Sequence, residues 1–127
     1  MKRRLLVITA VAGVVAVAIA AQEKWVAPAR ASAKKNPVKA DAASIGRGKA
    51  VYTAECASCH GTRGKGDGPS AKDLEVPAGD LTKLGDQSDG ALFWKVTEGK
   101  KPMASYATKL SEQQRWDVVN YMRTLGK

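Results

Sequence analysis

Both cysteines and the only histidine of this 127-residue chain lie within five consecutive positions, Cys56 to His60, in the stretch ECASCHG. Three uses of a C-x-x-C-H unit need to be compared. A redox disulfide would be expected where a strand leads into a helix, but residues 45–55 have helical spacing. A structural zinc site normally has four ligands, and this motif supplies at most three. Covalent attachment of haem employs all three side chains, because the thiols form thioethers and the imidazole becomes an axial iron ligand.

The small size of the folded part favours haem. About eighty residues follow position 44, and they contain one phenylalanine, two tryptophans and three tyrosines. A core of that size is marginal without a disulfide, a metal or another non-protein group. We therefore predict one haem c, attached through Cys56 and Cys59 with His60 beneath its iron, and keep the disulfide and the zinc site as alternatives.

The first 21 residues have the pattern of an export signal. Three basic residues at positions 2–4 precede seventeen residues, 5–21, that carry no charged or amide side chain. Ala18-Ile19-Ala20 before Ala21 fits the A-x-A cleavage pattern. The run also approaches the length of a membrane-spanning helix, so an uncleaved N-terminal anchor is the alternative. Either outcome predicts an exported domain, soluble or tethered to the outer face of the membrane.

The net charge of +9 lies mainly before the folded part. Residues 1–44 carry eight Lys/Arg against two Asp/Glu, and residues 45–127 carry thirteen against ten. The domain is thus only mildly basic, and we expect no nucleic-acid binding. Residues 22–44 are rich in Ala, Lys and Pro without sustained periodicity, which predicts a flexible basic linker next to an anionic membrane surface.

Helical spacing predicts where the walls of a haem pocket arise. Residues Ile45, Gly48, Tyr52, Cys56 and Cys59 share one helical face, so we expect Tyr52 near the haem edge. A second helix, capped by Ser88 or Asp89 and ending at Gly99, places Leu92 and Val96 on one face, where they are expected to wall the pocket.

A last helix is predicted from about Ser111 to Leu125. Ser111 and Gln114 form a capping box at its start. Met122 falls in the apolar stripe of this helix and is best interpreted as core.

Several motifs occur together in the order of a known family. GKAVYTAECASCHG is followed by GDGP, then by Met103 and by LSEQQRWDVVNYMRTL. Over residues 45–127 the chain resembles the class I c-type cytochromes, small monohaem electron carriers of bacterial periplasms. The resemblance implies an all-α cytochrome c fold, with three to four short helices around one covalently bound haem. It also implies that the first and last helices cross near Gly48 and Tyr52.

The resemblance further implies the remaining ligands. Met103 follows Gly99-Lys100-Lys101-Pro102, in the loop before the last helix where the family places its distal methionine, so His60 and Met103 are the expected iron ligands. The alternative is that Met103 only packs beneath its loop, and the order Pro102-Met103-Ala104 differs from the Met-Pro of many relatives. Gly68-Pro69 matches the position where relatives use a proline carbonyl to accept a hydrogen bond from the histidine ring.

These expectations predict a periplasmic carrier of single electrons that is not an enzyme. A low-spin haem with histidine and methionine ligands has no open iron position. The partners would be exported or membrane-bound redox proteins, with membrane association through residues 5–21 as a further option. The alternatives are a five-coordinate haem sensor or peroxidase-like domain, and a haem c subunit tethered to a larger membrane oxidase or dehydrogenase. Exposed lysines near the haem edge would face the partner, with candidates Lys49, Lys65, Lys72, Lys100 and Lys101.

Overall fold

The computed structural model describes residues 24–127, so the predicted signal or anchor at residues 1–21 lies outside the described part. Five helices follow one another as α1 (Ala29–Ser32), α2 (Ala42–Glu55), α3 (Ala57–His60), α4 (Asp89–Glu98) and α5 (Glu112–Met122), with a 3₁₀ turn at Ala71–Asp73. None of the helices in this part of the chain has the length and apolar character of a membrane-spanning segment. The predicted all-α class is confirmed.

Helices α2 and α5 cross in close contact, as predicted. A Cβ added to Gly48 would overlap the carbonyl oxygen of Asp117 and lie 2.9 Å from the Cβ of Tyr121. The rings of Tyr52 and Tyr121 pack beside this point, with centroids 5.1 Å apart. Only glycine allows the two backbones to approach this closely, so the predicted close approach at Gly48 is confirmed.

A buried polar network joins the same two helices. Asp117 is 1 % exposed, and its carboxylate accepts hydrogen bonds from Ser44 Oγ (2.6 Å), Arg47 Nε (2.9 Å) and Arg47 Nη2 (3.0 Å). Asn120 donates from Nδ2 to Ser44 Oγ at 2.9 Å. Because these polar atoms satisfy one another, they can be buried at the crossing without a large desolvation penalty.

The third long helix, α4, closes the core. Its Ser88 cap accepts from Ala91 N at 3.1 Å, and the capping box at Ser111 and Gln114 starts α5 as predicted. Phe93 of α4 stacks on Trp116 of α5, with centroids 3.9 Å apart and planes 16° from parallel. Leu92, Val96 and Met122 lie in the same buried cluster. Sequence periodicity therefore identified the inward faces of both helices.

The segment predicted as a flexible linker differs from that description in the structure. Helix α2 begins at Ala42, capped by Asp41, whose side chain accepts from Ser44 N at 2.9 Å. Residues 24–41, which we call the arm, include α1 and pack against α4 and α5. Ala27 of the arm is 7 % exposed. The arm lacks a periodic apolar pattern because its contacts are mostly made by backbone and polar groups.

Candidate functional site

The C-x-x-C-H motif forms one tight helical turn at the end of α2. Cys56 N bonds to Tyr52 O at 2.9 Å, and both Cys59 N (3.3 Å) and His60 N (2.9 Å) bond to Cys56 O. Cys56 and Cys59, three positions apart, therefore point to the same side of the turn. Both are free, half-buried thiols. Burial, with smaller contributions from Glu55 and Cys59, raises the pKa of the Cys56 thiol to about 12.

The imidazole of His60 is oriented by a backbone carbonyl. Its Nδ1 lies 3.0 Å from Gly79 O, so the tautomer with the proton on Nδ1 donates this hydrogen bond. The lone pair of Nε2 is then available to a metal. The segment that presents this carbonyl is fixed, because Leu81 N bonds to Gly64 O at 2.6 Å and Asp80 Oδ1 accepts from Thr82 N at 2.9 Å. Hydrogen bonds to Asp80 Oδ1 from the Thr82 hydroxyl and, secondly, from Thr82 N lower the pKa of Asp80.

Pro69, which the resemblance implied as the acceptor for His60, has another place in the structure. Gly68 N bonds to Cys59 O at 3.1 Å and Ser70 N bonds to Ser58 O at 2.8 Å, so the segment of residues 68–70 lies against the motif turn. A Cβ on Gly68 would lie 2.6 Å from Ala57 O. Pro69 is exposed, and the segment of residues 68–70 fixes the backbone of the turn. The ring of His60 is instead oriented by its hydrogen bond to Gly79 O.

Met103 is presented by a short, hydrogen-bonded turn. Lys100 N bonds to Met103 O at 3.1 Å and Met103 N bonds to Lys100 O at 2.9 Å, around a cis peptide between Lys101 and Pro102. Gly99 enters this turn with a φ of 65°, a conformation that favours glycine. Met103 is half-buried and packs against the core cluster, whereas Met122 is inside it at 5 % exposure. The interpretation of Met122 as a core residue is confirmed.

The expected pocket residues lie in one contiguous cluster. Tyr52, Leu92 and Val96 are buried members, and Cys56 and Met103 pack against them. The Tyr52 hydroxyl donates to Gly61 O at 2.6 Å, immediately after the motif. Tyr52 therefore lies in the α2–α5 core and supports the turn that carries His60.

Two further residues of the site were missed from the sequence. Gly79 acts through its carbonyl, for which no side-chain signal exists. Tyr106 is 8 % exposed and its hydroxyl donates to Glu55 O at 3.0 Å, which ties the Met103 loop to the residue before Cys56. Burial raises the pKa of Tyr106. An aromatic residue three positions after Met103 was the available signal.

No group of three or more His, Cys, Asp or Glu residues that could hold a metal ion occurs among residues 24–127. The candidate donors are instead the two thiols and the imidazole of the motif and the thioether of Met103, and Cys56 and Met103 pack against the same core cluster. Two thiols followed directly by a histidine fit covalent haem, whose iron is ligated by imidazole and thioether in many electron carriers. The chemistry of the donor set thus fits the group that the sequence predicts.

Comparisons with known proteins show similarity over most of the described chain. The sequence model of the family described as Cytochrome c matches residues 45–126. Cytochrome c6 of Nostoc sp. is 37 % identical over 68 % of this chain and 73 % of its own length. Cytochrome c6 of Thermosynechococcus vestitus is 34 % identical over 64 % of this chain and 70 % of its own length.

Two solved structures are similar as well. A chain of the Kuenenia stuttgartiensis reducing HAO-like protein complex superposes with a TM-score of 0.66 and 32 % identity over 72 % of this chain, which spans about half (47 %) of that chain. Cytochrome c6 of the diatom Phaeodactylum tricornutum has a TM-score of 0.51 and 22 % identity over 65 % of this chain and 93 % of its own, a likeness of fold.

Proposed function

The chain belongs to the cytochrome c family, and from this premise we propose that Cys56 and Cys59 attach its haem, with His60 and Met103 as axial iron ligands. Family membership makes the protein an electron carrier with covalently bound haem c. The observation that carries the residue assignment is the hydrogen bond from His60 Nδ1 to Gly79 O at 3.0 Å. It fixes the tautomer whose Nε2 can bind iron and holds the ring's orientation.

The protein residues around the haem then have distinct tasks. Gly79 keeps the proton on Nδ1 of His60, and the Tyr52 and Tyr106 hydroxyls fix the backbone on either side of the motif at Gly61 and Glu55. Buried Leu92 and Val96 exclude water from the pocket wall. Haem bound there would supply a one-electron couple, and ligation by both His60 and Met103 would leave no iron position for a substrate.

We infer from this ligand set a low-spin haem that transfers single electrons and catalyses no reaction of its own. The proposed location is the periplasm, where the apolar run at residues 5–21 either directs export or anchors the domain to the outer face of the inner membrane. The donor and acceptor are then exported or membrane-bound redox proteins. Lysines exposed in the structure can face an acidic partner: Lys49, Lys65, Lys72, Lys100 and Lys101.

Carbon monoxide tests the distal ligand. In the reduced holoprotein we expect no change of the Soret band, because Met103 occupies the sixth position. Met103→Ala should bind carbon monoxide with a Soret shift, and Met122→Leu is the matched control that keeps the parent behaviour. A Met103→Ala protein with an unaltered spectrum would remove Met103 from the iron, and carbon monoxide binding by the parent protein would favour a five-coordinate sensor or peroxidase-like domain.

Covalent attachment and location have separate readouts. A denaturing gel stained for haem should show a band for the parent protein and lose it for the double variant Cys56→Ala/Cys59→Ala. The intact mass of protein from soluble and membrane fractions reports the added haem and the removal of residues 1–20 together. Material found with its N-terminus intact in the cytoplasmic fraction, without haem, would contradict the proposed location.

A second candidate follows from the likeness to a chain of the Kuenenia reducing HAO-like protein complex. The domain would then be the electron-transferring subunit of a larger redox assembly at the membrane. Native mass measurement after mild detergent extraction separates the candidates. A free carrier should have the mass of one chain with one haem, whereas a subunit should be detected at the mass of its assembly.

A further inference from the structure

The arm, residues 24–41, lies outside the region 45–126 that matches the family, yet it is fixed to the domain. Ser88 Oγ donates to Ser32 O at 2.7 Å. A Cβ on Gly90 would lie 2.6 Å from Lys34 O, so the backbone of the arm touches the first turn of α4. The glycine at position 90 is therefore required for the arm to lie where it does.

The arm continues along α5. Asn36 Nδ2 donates to Asn120 Oδ1 at 2.8 Å, and Asn120 Nδ2 donates to Val38 O at 3.1 Å. Asn120 is 3 % exposed, so these bonds are sheltered from water. At the other end, Trp25 packs against Trp94 with centroids 6.2 Å apart. Contacts thus hold the arm along its length to two helices of the haem domain.

The outward side of the arm is basic. Four of its cations are exposed, and none forms an ion pair with any residue between 24 and 127: Lys24, Arg30, Lys35 and Lys39. Lys34 has partners in the domain, with its Nζ 3.3 Å from Glu112 Oε1 and 4.9 Å from the centroid of Phe93. The arm's own carboxylate, Asp41, caps α2. Val26, 67 % exposed, adds an apolar side chain to this surface.

We propose that the arm is a docking surface for the anionic lipid headgroups of the membrane, and that its packing on α4 and α5 holds the haem domain at that surface. The proposal rests on the proposed location outside the inner membrane and is independent of the iron ligands. A rigid arm replaces a long flexible tether, so the domain works at the bilayer and does not range far from it.

The arm closely follows the apolar run in the sequence, which favours lipid headgroups over an acidic protein as the binding partner of the arm. The apolar run ends at Ala21, and the three residues to Lys24 can span at most about 10 Å. The headgroup region on one side of a bilayer is about 5–7 Å thick. An anchored chain therefore brings the start of the arm, with Lys24, directly to the headgroups. After cleavage at the A-x-A pattern the cations of the arm remain on the mature protein.

Spin labels test the contact in the full holoprotein. Its haem cysteines are blocked as thioethers, so a label can be placed at Ala33→Cys on the arm or, as the reference, at Ala107→Cys on the Met103 loop. The protein is bound to or reconstituted in phosphatidylcholine vesicles with and without phosphatidylglycerol. We expect phosphatidylglycerol to protect the arm label from a water-soluble nickel relaxant and to leave the reference label accessible. Protection should weaken as salt rises, since the Debye length falls from about 30 Å at 0.01 M to about 10 Å at 0.1 M.

Charge variants give the size of the effect. Replacing the four arm cations with glutamine should weaken the contact by about fivefold per charge. The matched variant removes four cations elsewhere, Lys49, Lys65, Lys72 and Lys127, and should keep the protection. Equal accessibility of both labels, or an arm label indifferent to phosphatidylglycerol, overturns the proposal. Protection that requires the proteins of the native membrane also overturns it, in favour of a protein partner.

Gly90→Val separates the contribution of the arm's charge from that of its packing on α4. Its side chain displaces the arm while all cations remain, so the label at position 33 should stay protected but become more mobile in its spectrum. An unchanged mobility would overturn the role of packing. The optical spectrum of the same samples confirms that each variant is folded with haem bound. A wrong assignment of Met103 would appear in that spectrum and leave the label results unaffected, so the two proposals fail separately.

Discussion

The crossing of α2 and α5 and the loops around the C-x-x-C-H motif are stabilised in different ways. At the crossing, large side chains are fully buried, among them Trp116, Tyr52 and Val118. Between Gly61 and Lys83, by contrast, the buried residues are three glycines. That loop is shaped by main-chain hydrogen bonds such as Gly66 N to His60 O at 2.7 Å.

This difference shows what the haem contributes. The crossing has an apolar core of its own, whereas no large apolar side chain is fully buried between Gly61 and Lys83, and the half-buried Leu74 and Leu81 leave room for a non-protein group to pack against this loop. Changes at the crossing should therefore alter the free energy of unfolding, and changes in the ligand loops should alter the haem spectrum first.

The largest expected effect is at Gly48. In Gly48→Val the new side chain overlaps the main chain of Asp117, and the two helices must separate. Overlap with backbone cannot be relieved by a rotamer change, so we expect a loss of more than about 4 kcal/mol and little folded holoprotein. Urea unfolding followed by far-UV circular dichroism measures it. A variant with parental stability would show that α2 and α5 do not cross at this glycine.

Asp117→Asn tests the buried network at the same crossing. The variant keeps the size of the side chain but removes the charge that accepts from Ser44 and Arg47. We expect a loss of about 2–4 kcal/mol, because the buried Ser44 hydroxyl and the half-exposed Arg47 then lose a buried, charged acceptor. Lys109→Gln, which removes a 60 % exposed partner of Glu55, is the control and should cost less than about 1 kcal/mol. Equal losses in the two variants would contradict the importance of burial.

Tyr52→Phe removes the link between the two regions, the hydrogen bond to Gly61 O. The expected loss is about 1–2 kcal/mol at neutral pH, since the carbonyl is left without its donor. Haem attachment should persist, because the ring still packs in the core. Urea unfolding at pH 7, with haem staining of the same samples, gives both results. Loss of the haem band would instead place Tyr52 among the residues required for attachment.

The same tyrosine makes a pH prediction. Burial raises the pKa of Tyr52 from about 10 to about 12, so the folded protein holds this proton more tightly than the unfolded chain. The stabilisation is fully present below pH 10 and is lost as the pH rises through 12. In Tyr52→Phe the free energy of unfolding should fall less steeply over this range than in the parent protein. Parallel slopes would mean that Tyr52 titrates with an ordinary pKa.

Much of the fold could be predicted because the helices carry local signals. Ser111 and Gln114 revealed a capping box, and the spacing of Leu92 and Val96 revealed a buried face. The crossing near Gly48 was implied by the family resemblance, and it agrees with the cost of a glycine inside a helix, which a close contact can explain. The arm was not predicted, because its contacts with Ser88, Gly90 and Asn120 join positions far apart in the sequence. Only the folded chain brings these partners together.

The side chains proposed for the site carry a chemical signal in the sequence, whereas the backbone groups that position them carry none. Free thiols, imidazole and thioether are chemically distinct, so composition alone restricted the choice to a few residues. Any residue can present a carbonyl, and the acceptor for His60 was therefore expected at Pro69 and found at Gly79. The turn that fixes Met103 is likewise made by main-chain bonds between Lys100 and Met103.

The smallest expected change in stability is at Gly46, which lies in the same helix as Gly48. Gly46 and Gly48 both lie within α2, but a Cβ on Gly46 would meet nothing within 4 Å. Gly46→Ala should therefore stabilise the protein by about 0.5–1 kcal/mol, because alanine loses less backbone entropy on folding. The urea midpoint should rise without a change in the slope of the transition. A lower midpoint would mean that Gly46 meets a surface present only in the haem-bound protein, and the helix would then contact more than α5 at this turn.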